Sequence, residues 1–147
     1  MLCSRSPRES TLPASSRVFP YRAVGLHGIA PAIPLVLHGP KNRINHVGLV
    51  DSGADSSLLP VSIAAFLGID LSTCQEEPMM GAGGQSRRWS YLPGITAELQ
   101  AMRKTFQLNI SFAEHVPIML LGRSDFFATF RVTVDERAET VKLDAYD

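Results

Sequence analysis

The sequence predicts an all-β domain, a closed barrel-like fold with one or two short helices. Three observations carry this. The apolar runs are short and rich in Val, Ile, Leu and Phe, as strands are. Clusters of Gly, Pro, Asn and Ser break them at frequent intervals. Only two runs, near 61–67 and 124–128, suit a helix, and both are brief.

Met1 to Ser16 is rich in Ser, Arg and Pro and reads as a flexible tail ahead of a single domain spanning 17–147. Val18 to Val24 suits a first strand, with Pro20 placing it near a sheet edge. Ile33 to Leu37 and His46 to Val50 suit two strands. The turn chemistry of Gly39-Pro40-Lys41-Asn42 joins them as a hairpin. Ser57-Leu58-Leu59 is a short strand. Pro60 ahead of Val61 to Leu67, with Gly68 behind, brackets a short helix. Gly81 to Ser86 is a hairpin tip. Arg87 to Tyr91, Ile95 to Leu99 and Thr105 to Ile110 are further strands. Val116 to Leu121 is a buried strand ending at Gly122, followed by a short helix near Ser124 to Ala128 with Asp125 in its first turn. Phe130 to Val134 and Thr140 to Leu143 close the domain.

At 147 residues and 45% hydrophobic content, the chain suits one domain with a real core. Lys plus Arg and Asp plus Glu both number 14, so net charge argues for neither nucleic acid nor an anionic membrane as partner. Most of the basic residues are Arg, which points to a GC-rich genome; a bacterial source is expected. Cys3 and Cys74 have no metal-type spacing, and no disulfide between them is expected. The most apolar stretch, Gly28 to Leu37, is too short to span a bilayer and carries Pro31 and Pro34; a cytoplasmic protein is expected. His27, His38, His46 and His115 show no ligand spacing, so no metal is expected.

The chemistry concentrates at Val47-Gly48-Leu49-Val50-Asp51-Ser52-Gly53-Ala54-Asp55. A buried strand rarely ends on Asp unless the acid is paired, capping or catalytic. Gly53 lets backbone approach the carboxylate, and Ala54 is too small to block it. Hydrolysis of a peptide bond without metal or covalent intermediate needs an activated water and an acid on the carbonyl. Two carboxylates sharing one proton supply both. The chain holds one Asp-Ser/Thr-Gly triplet, so a dyad requires a two-fold homodimer that brings Asp51 to its mate. Taken alone, the triplet more often marks an Asp that caps a turn.

About 70 residues later comes Leu120-Leu121-Gly122-Arg123-Ser124-Asp125. By itself it is a strand end leading into a helix. Midway lies Gly81-Ala82-Gly83-Gly84, which alone is better read as an ordinary hairpin loop; no Lys-Ser/Thr follows it and no strand–loop–helix context surrounds it, which argues against a phosphate cradle.

In this order and spacing the three segments resemble the retropepsin-like aspartic proteases, single-domain proteins similar to retroviral proteases, over roughly 17–144. The resemblance implies an acid-protease fold, a homodimer, endopeptidase activity on protein or peptide, and no cofactor. Asp51 matches the catalytic aspartate. Ser52, in place of the commoner Thr, matches the hydroxyl that links the two active-site loops, and Gly53 completes the triplet. Ala54 and Asp55 extend the turn. Arg123 is expected to reach Asp55, and Gly122 to admit the crossing backbone. Gly81, Ala82, Gly83 and Gly84 match a flap over the substrate. Leu49, Val50, Ile118 and Leu120 match subsites and suggest an apolar preference. The alternative is a catalytically inactive module of the same fold, used for dimerisation or peptide binding. A hydroxyl at position 54 would favour the charged carboxylate, and Ala54 supplies none. The expected pH optimum is therefore mildly acidic, and a pH–rate profile peaking near pH ~2 would reject this.

Overall fold

The structure, a computed structural model, describes residues 15–25, 28–81 and 84–146. The segment 1–14, which holds most of the expected tail and Cys3, lies outside the described residues, as does His27.

The strands are β1 (Ser16–Pro20), β2 (Arg22–Ala23), β3 (Ile29–Ala30), β4 (Ala32–His38), β5 (Arg43–Val50), β6 (Ser57–Pro60), β7 (Gln75–Gly81), β8 (Gly84–Ser90), β9 (Ile95–Leu99), β10 (Lys104–Leu108), β11 (Ile110–Ala113), β12 (Met119–Leu121), β13 (Phe130–Asp135) and β14 (Thr140–Ala145). One α-helix, α1 (Ile63–Leu67), follows β6. It ends in a left-handed Gly68, with Ile69 N–H donating back to the Ala64 carbonyl at 2.9 Å. The second expected helix is a widened turn over Arg123–Phe127. The Asp125 carboxylate accepts the Phe126 N–H at 2.7 Å, so the Gly122 carbonyl is left for Phe127 N–H at 3.1 Å, one residue further than in an α-helix. Among the described residues no helix is long and apolar enough to cross a membrane.

Nine strands form one sheet in the order β10-β9-β4-β5-β12-β6-β11-β8-β7. The expected closure is corrected here. The sheet curls into a half-barrel, and its edge strands β10 and β7 do not pair with each other. Pro34 sits inside β4 where β9, which spans only Val36 to His38 of that strand, no longer reaches for its missing N–H. The hairpin turn between β4 and β5 closes through Gly39 N–H on the Asn42 carbonyl at 2.8 Å. A second sheet, β1-β14-β13, places the last strand between two strands of its own chain. The core between the two sheets gathers Leu37, Leu59, Phe112, Met119, Leu121, Phe126 and Phe130, all fully buried. Phe106 meets Phe130 edge-on at 5.3 Å between ring centroids, and Phe126 lies 5.2 Å from the same ring.

The topology around Asp51 follows from one insertion. Strand β12 lies between β5 and β6, parallel to β5 and antiparallel to β6. The turn that joins β5 to β6 therefore has a third strand wedged between its two arms. This needs room that side chains would occupy. A Cβ on Gly48 would stand 2.7 Å from the Leu121 side chain, and one on Gly122 would stand 2.4 Å from the Ser56 carbonyl group.

Candidate active site

The β5 strand delivers Asp51 by extending its pairing one residue beyond its end. Val50 N–H donates to the Pro31 carbonyl at 2.9 Å, and Asp51 N–H donates to the Leu121 carbonyl at 3.0 Å. The chain then turns. Ala54 N–H reaches the Asp51 carbonyl at 3.2 Å, and Gly53 N–H donates to the Asp51 carboxylate at 2.8 Å. That last bond fixes the rotation of the carboxylate. A Cβ at Gly53 would crowd the same oxygen at 3.1 Å.

Arg123 fastens the turn from behind. Its N–H donates to the Ala54 carbonyl at 2.9 Å, and Ser124 N–H to the Asp55 carbonyl at 2.8 Å. The guanidinium spans further: Nη1 donates to the Ser52 carbonyl at 3.0 Å, and Nη2 pairs with the Asp55 carboxylate. Asp55 is 84% exposed, so the pair contributes no more than about 1 kcal/mol. Its value is geometric, because one planar fork holds both ends of a four-residue turn.

A buried polar cluster lies beneath. Ser57 Oγ donates to the Asp125 carboxylate at 2.8 Å and accepts Gly122 N–H at 3.2 Å. Asn109 N–H donates to the second Asp125 oxygen at 3.0 Å. Asp125 is 4% exposed, and burial pushes its carboxyl up while these donors pull it down. From the sequence Ser57 is expected beside the turn, with a role in stability, and Asp125 only in the first turn of a helix. An acid set directly before two phenylalanines was the available signal, since such a carboxylate must either face solvent or find donors. Gly122→Ala drives a Cβ into backbone rather than into a movable side chain. We expect it to cost about 1–3 kcal/mol, read as a lowered urea midpoint at unchanged slope.

Asp51, Gly53, Ala54 and Asp55 form one wall of a cavity of about 550 Å³. The β7–β8 hairpin covers it with Met79, Gly81 and Gly84, and Val116 and Leu120 add apolar surface. Within the single chain Leu120 lines this cavity, whereas Leu49, Val50 and Ile118 do not. Ala82 and Gly83 of the hairpin tip lie outside the described residues. Arg88 and His115 also line the cavity, and neither had been assigned there from the sequence. A larger cavity of about 730 Å³, bounded by Arg22, Val36, His46 and Glu98, contains none of the motif residues. Burial pushes the His46 imidazole down at that second cavity. Among the described residues no three His, Cys, Asp or Glu side chains converge as a metal site would require.

No protein-family model and no curated protein matches the chain. Solved structures do. A crystal structure of a retropepsin-like aspartic protease from Rickettsia conorii aligns over 87% of this chain and 98% of its own, at 19% identity and a TM-score of 0.65. EIAV protease in complex with the inhibitor HBY-793 aligns over 69% of this chain and 88% of its own, at 19% identity and a TM-score of 0.45. The first likeness, together with the half-barrel and the strand wedged behind the Asp51 turn, shows that this chain has the retropepsin-like fold.

Proposed function

We propose that the protein is an aspartic endopeptidase whose catalytic dyad forms from the Asp51 residues of two copies. The observation that supports it most is the placement of Asp51. Its carboxylate is oriented by Gly53 N–H at one wall of a hairpin-covered groove, in the fold of the Rickettsia conorii aspartic protease. In this reading a water sits between the two carboxylates. The ionised one takes the water's proton as its oxygen attacks the scissile carbonyl carbon, and the protonated one gives its proton to the carbonyl oxygen. The tetrahedral diol then collapses, breaking the C–N bond, and the amine leaves with a proton returned from the dyad. Asp55, Arg123 and Gly122 hold the turn rather than react. The β7–β8 hairpin excludes water from the bound peptide. The reaction calls for no cofactor.

The dimer has to form without the last strand opening to a partner, because β14 is already flanked by β1 and β13 of its own chain. The test is cleavage of an unstructured protein from about pH 3 to 7, with the mass in solution recorded alongside. Dimeric protein whose activity is blocked by a transition-state analogue of aspartic proteases supports the proposal. A folded dimer with no cleavage at any pH overturns it in favour of a peptide-binding or dimerisation module.

A further inference from the structure

The β7–β8 hairpin has a sharply defined line at which it leaves the sheet, and one residue stands on that line. From Arg88 to Ser90, β8 is paired on both sides, with β7 and with β11. Strand β11 ends at Ala113, opposite Arg88. Beyond that point β8 has only β7 as a neighbour. Arg87 is the first residue on the free side. Its N–H faces a position where the sheet offers no further strand carbonyl. The Glu114 side chain takes that place, accepting Arg87 N–H at 3.1 Å. The same carboxylate accepts Arg87 Nε at 3.3 Å and Nη2 at 3.1 Å. In return Glu114 N–H donates to the Arg87 carbonyl at 3.1 Å. The guanidinium also lies 3.5 Å from Glu76 across the hairpin and 5.2 Å from the Trp89 ring centroid. One carboxylate thus substitutes for a strand and grips a side chain, at the base of a two-stranded ribbon. Two-stranded ribbons are weak when unsupported. The pairing holds the Glu114 carboxyl below the usual carboxylate range, so it stays charged in weak acid.

Glu114 is also a groove residue, and it is followed directly by His115 and Val116, which line the groove with it. His115 has a left-handed backbone, with φ at 60°, which fixes how this short wall turns away from β11.

We propose that Arg87 and Glu114 form the hinge of the groove cover. Met79–Gly81 and Gly84–Ser86 swing about it, Arg88–Ser90 stay on the sheet, and Glu114 couples the swing to the wall at His115 and Val116. The two act as positioning residues, and their role in turnover rests on the reading of the hairpin as a substrate cover. Amide hydrogen exchange on the full chain reads the hinge without turnover. In Glu114→Ala, exchange in Met79–Gly81 and Gly84–Ser86 is expected to rise about three- to tenfold, with Arg88–Ser90 and β11 unchanged. Glu114→Gln keeps an oxygen for Arg87 N–H and loses the charge, so it falls between the two and serves if the alanine variant does not fold. Unchanged exchange in the ribbon, or a rise spread evenly through β11, overturns the hinge. In a cleavage assay both variants are expected to raise KM about threefold or more with kcat within about twofold; a fall in kcat at constant KM overturns it. Absence of cleavage by the wild type counts against the protease reading alone, because the exchange result stands without it.

Discussion

Asp51→Asn is expected to lower kcat by about 10²- to 10⁴-fold while leaving fold and mass in solution unchanged. Asn is the same size as Asp, and its side-chain oxygen can still accept the Gly53 N–H that orients the carboxylate at 2.8 Å. What it cannot do is take a proton from water. The variant therefore separates chemistry from architecture. It also tests where the second carboxylate comes from. If the dyad is shared between two copies, adding excess inactive variant to a fixed amount of wild type removes activity as subunits exchange. Mixed dimers have one carboxylate only, so the share of dimers with two falls as the square of the wild-type fraction, and at a fixed amount of wild type the activity falls in proportion to that fraction. Activity that stays constant under that excess would show that each chain completes its own site. The readout is initial cleavage rate against the mixing ratio, with intact-mass measurement of the mixed dimer.

Local geometry was legible in the sequence where local chemistry and chain order agree. The Asp51 turn, the Gly122 crossing and the Arg123 fork all involve residue types with few alternative uses at that spacing. Strands β4, β9 and β14 were legible because buried apolar residues recur along each. The β7 arm of the hairpin was not assigned. It is mostly exposed along Gln75–Gly81, includes two Glu and a Pro, and so lacks the alternation that a half-buried strand shows. It pairs with β8 alone, and beyond β11 the β8 strand meets the Glu114 side chain. That contact spans 27 residues, and no local pattern reports it. Openness of the barrel was illegible for a related reason. Whether β10 and β7 meet depends on the hairpin standing off the sheet, which is a property of the whole fold. Asp125 was visible as a helix-start acid, but its burial depends on Ser57 and Asn109, which reach it from other elements.

Asp125→Ala is expected to be the most destabilising single change, by about 3 kcal/mol or more. It strips the acceptor from Ser57 Oγ, Asn109 N–H and Phe126 N–H at once. Ser57 is itself fully buried, and its hydroxyl oxygen accepts Gly122 N–H, so the loss spreads to the crossing behind the Asp51 turn. Small domains hold only about 5–15 kcal/mol in total, and activity should fall in step with the folded fraction rather than ahead of it. Asp125→Asn is the milder change. Its oxygen can still serve Ser57 and Phe126, but its amide faces the Asn109 N–H, donor against donor. The pair of variants also exposes a pH dependence. Burial pushes the Asp125 carboxyl up, so the folded chain holds that proton more tightly than the unfolded chain. The contribution is fully present below the ordinary carboxylate range and is lost as pH rises through the raised folded value, above which the folded state carries the cost of a buried charge. Asn does not titrate. The advantage of wild type over Asp125→Asn should therefore be widest in acid and narrow towards neutrality, measured as thermal midpoints across that range. A gap that widens towards neutrality would mean that the three donors outweigh burial and that the carboxylate is held charged in the fold.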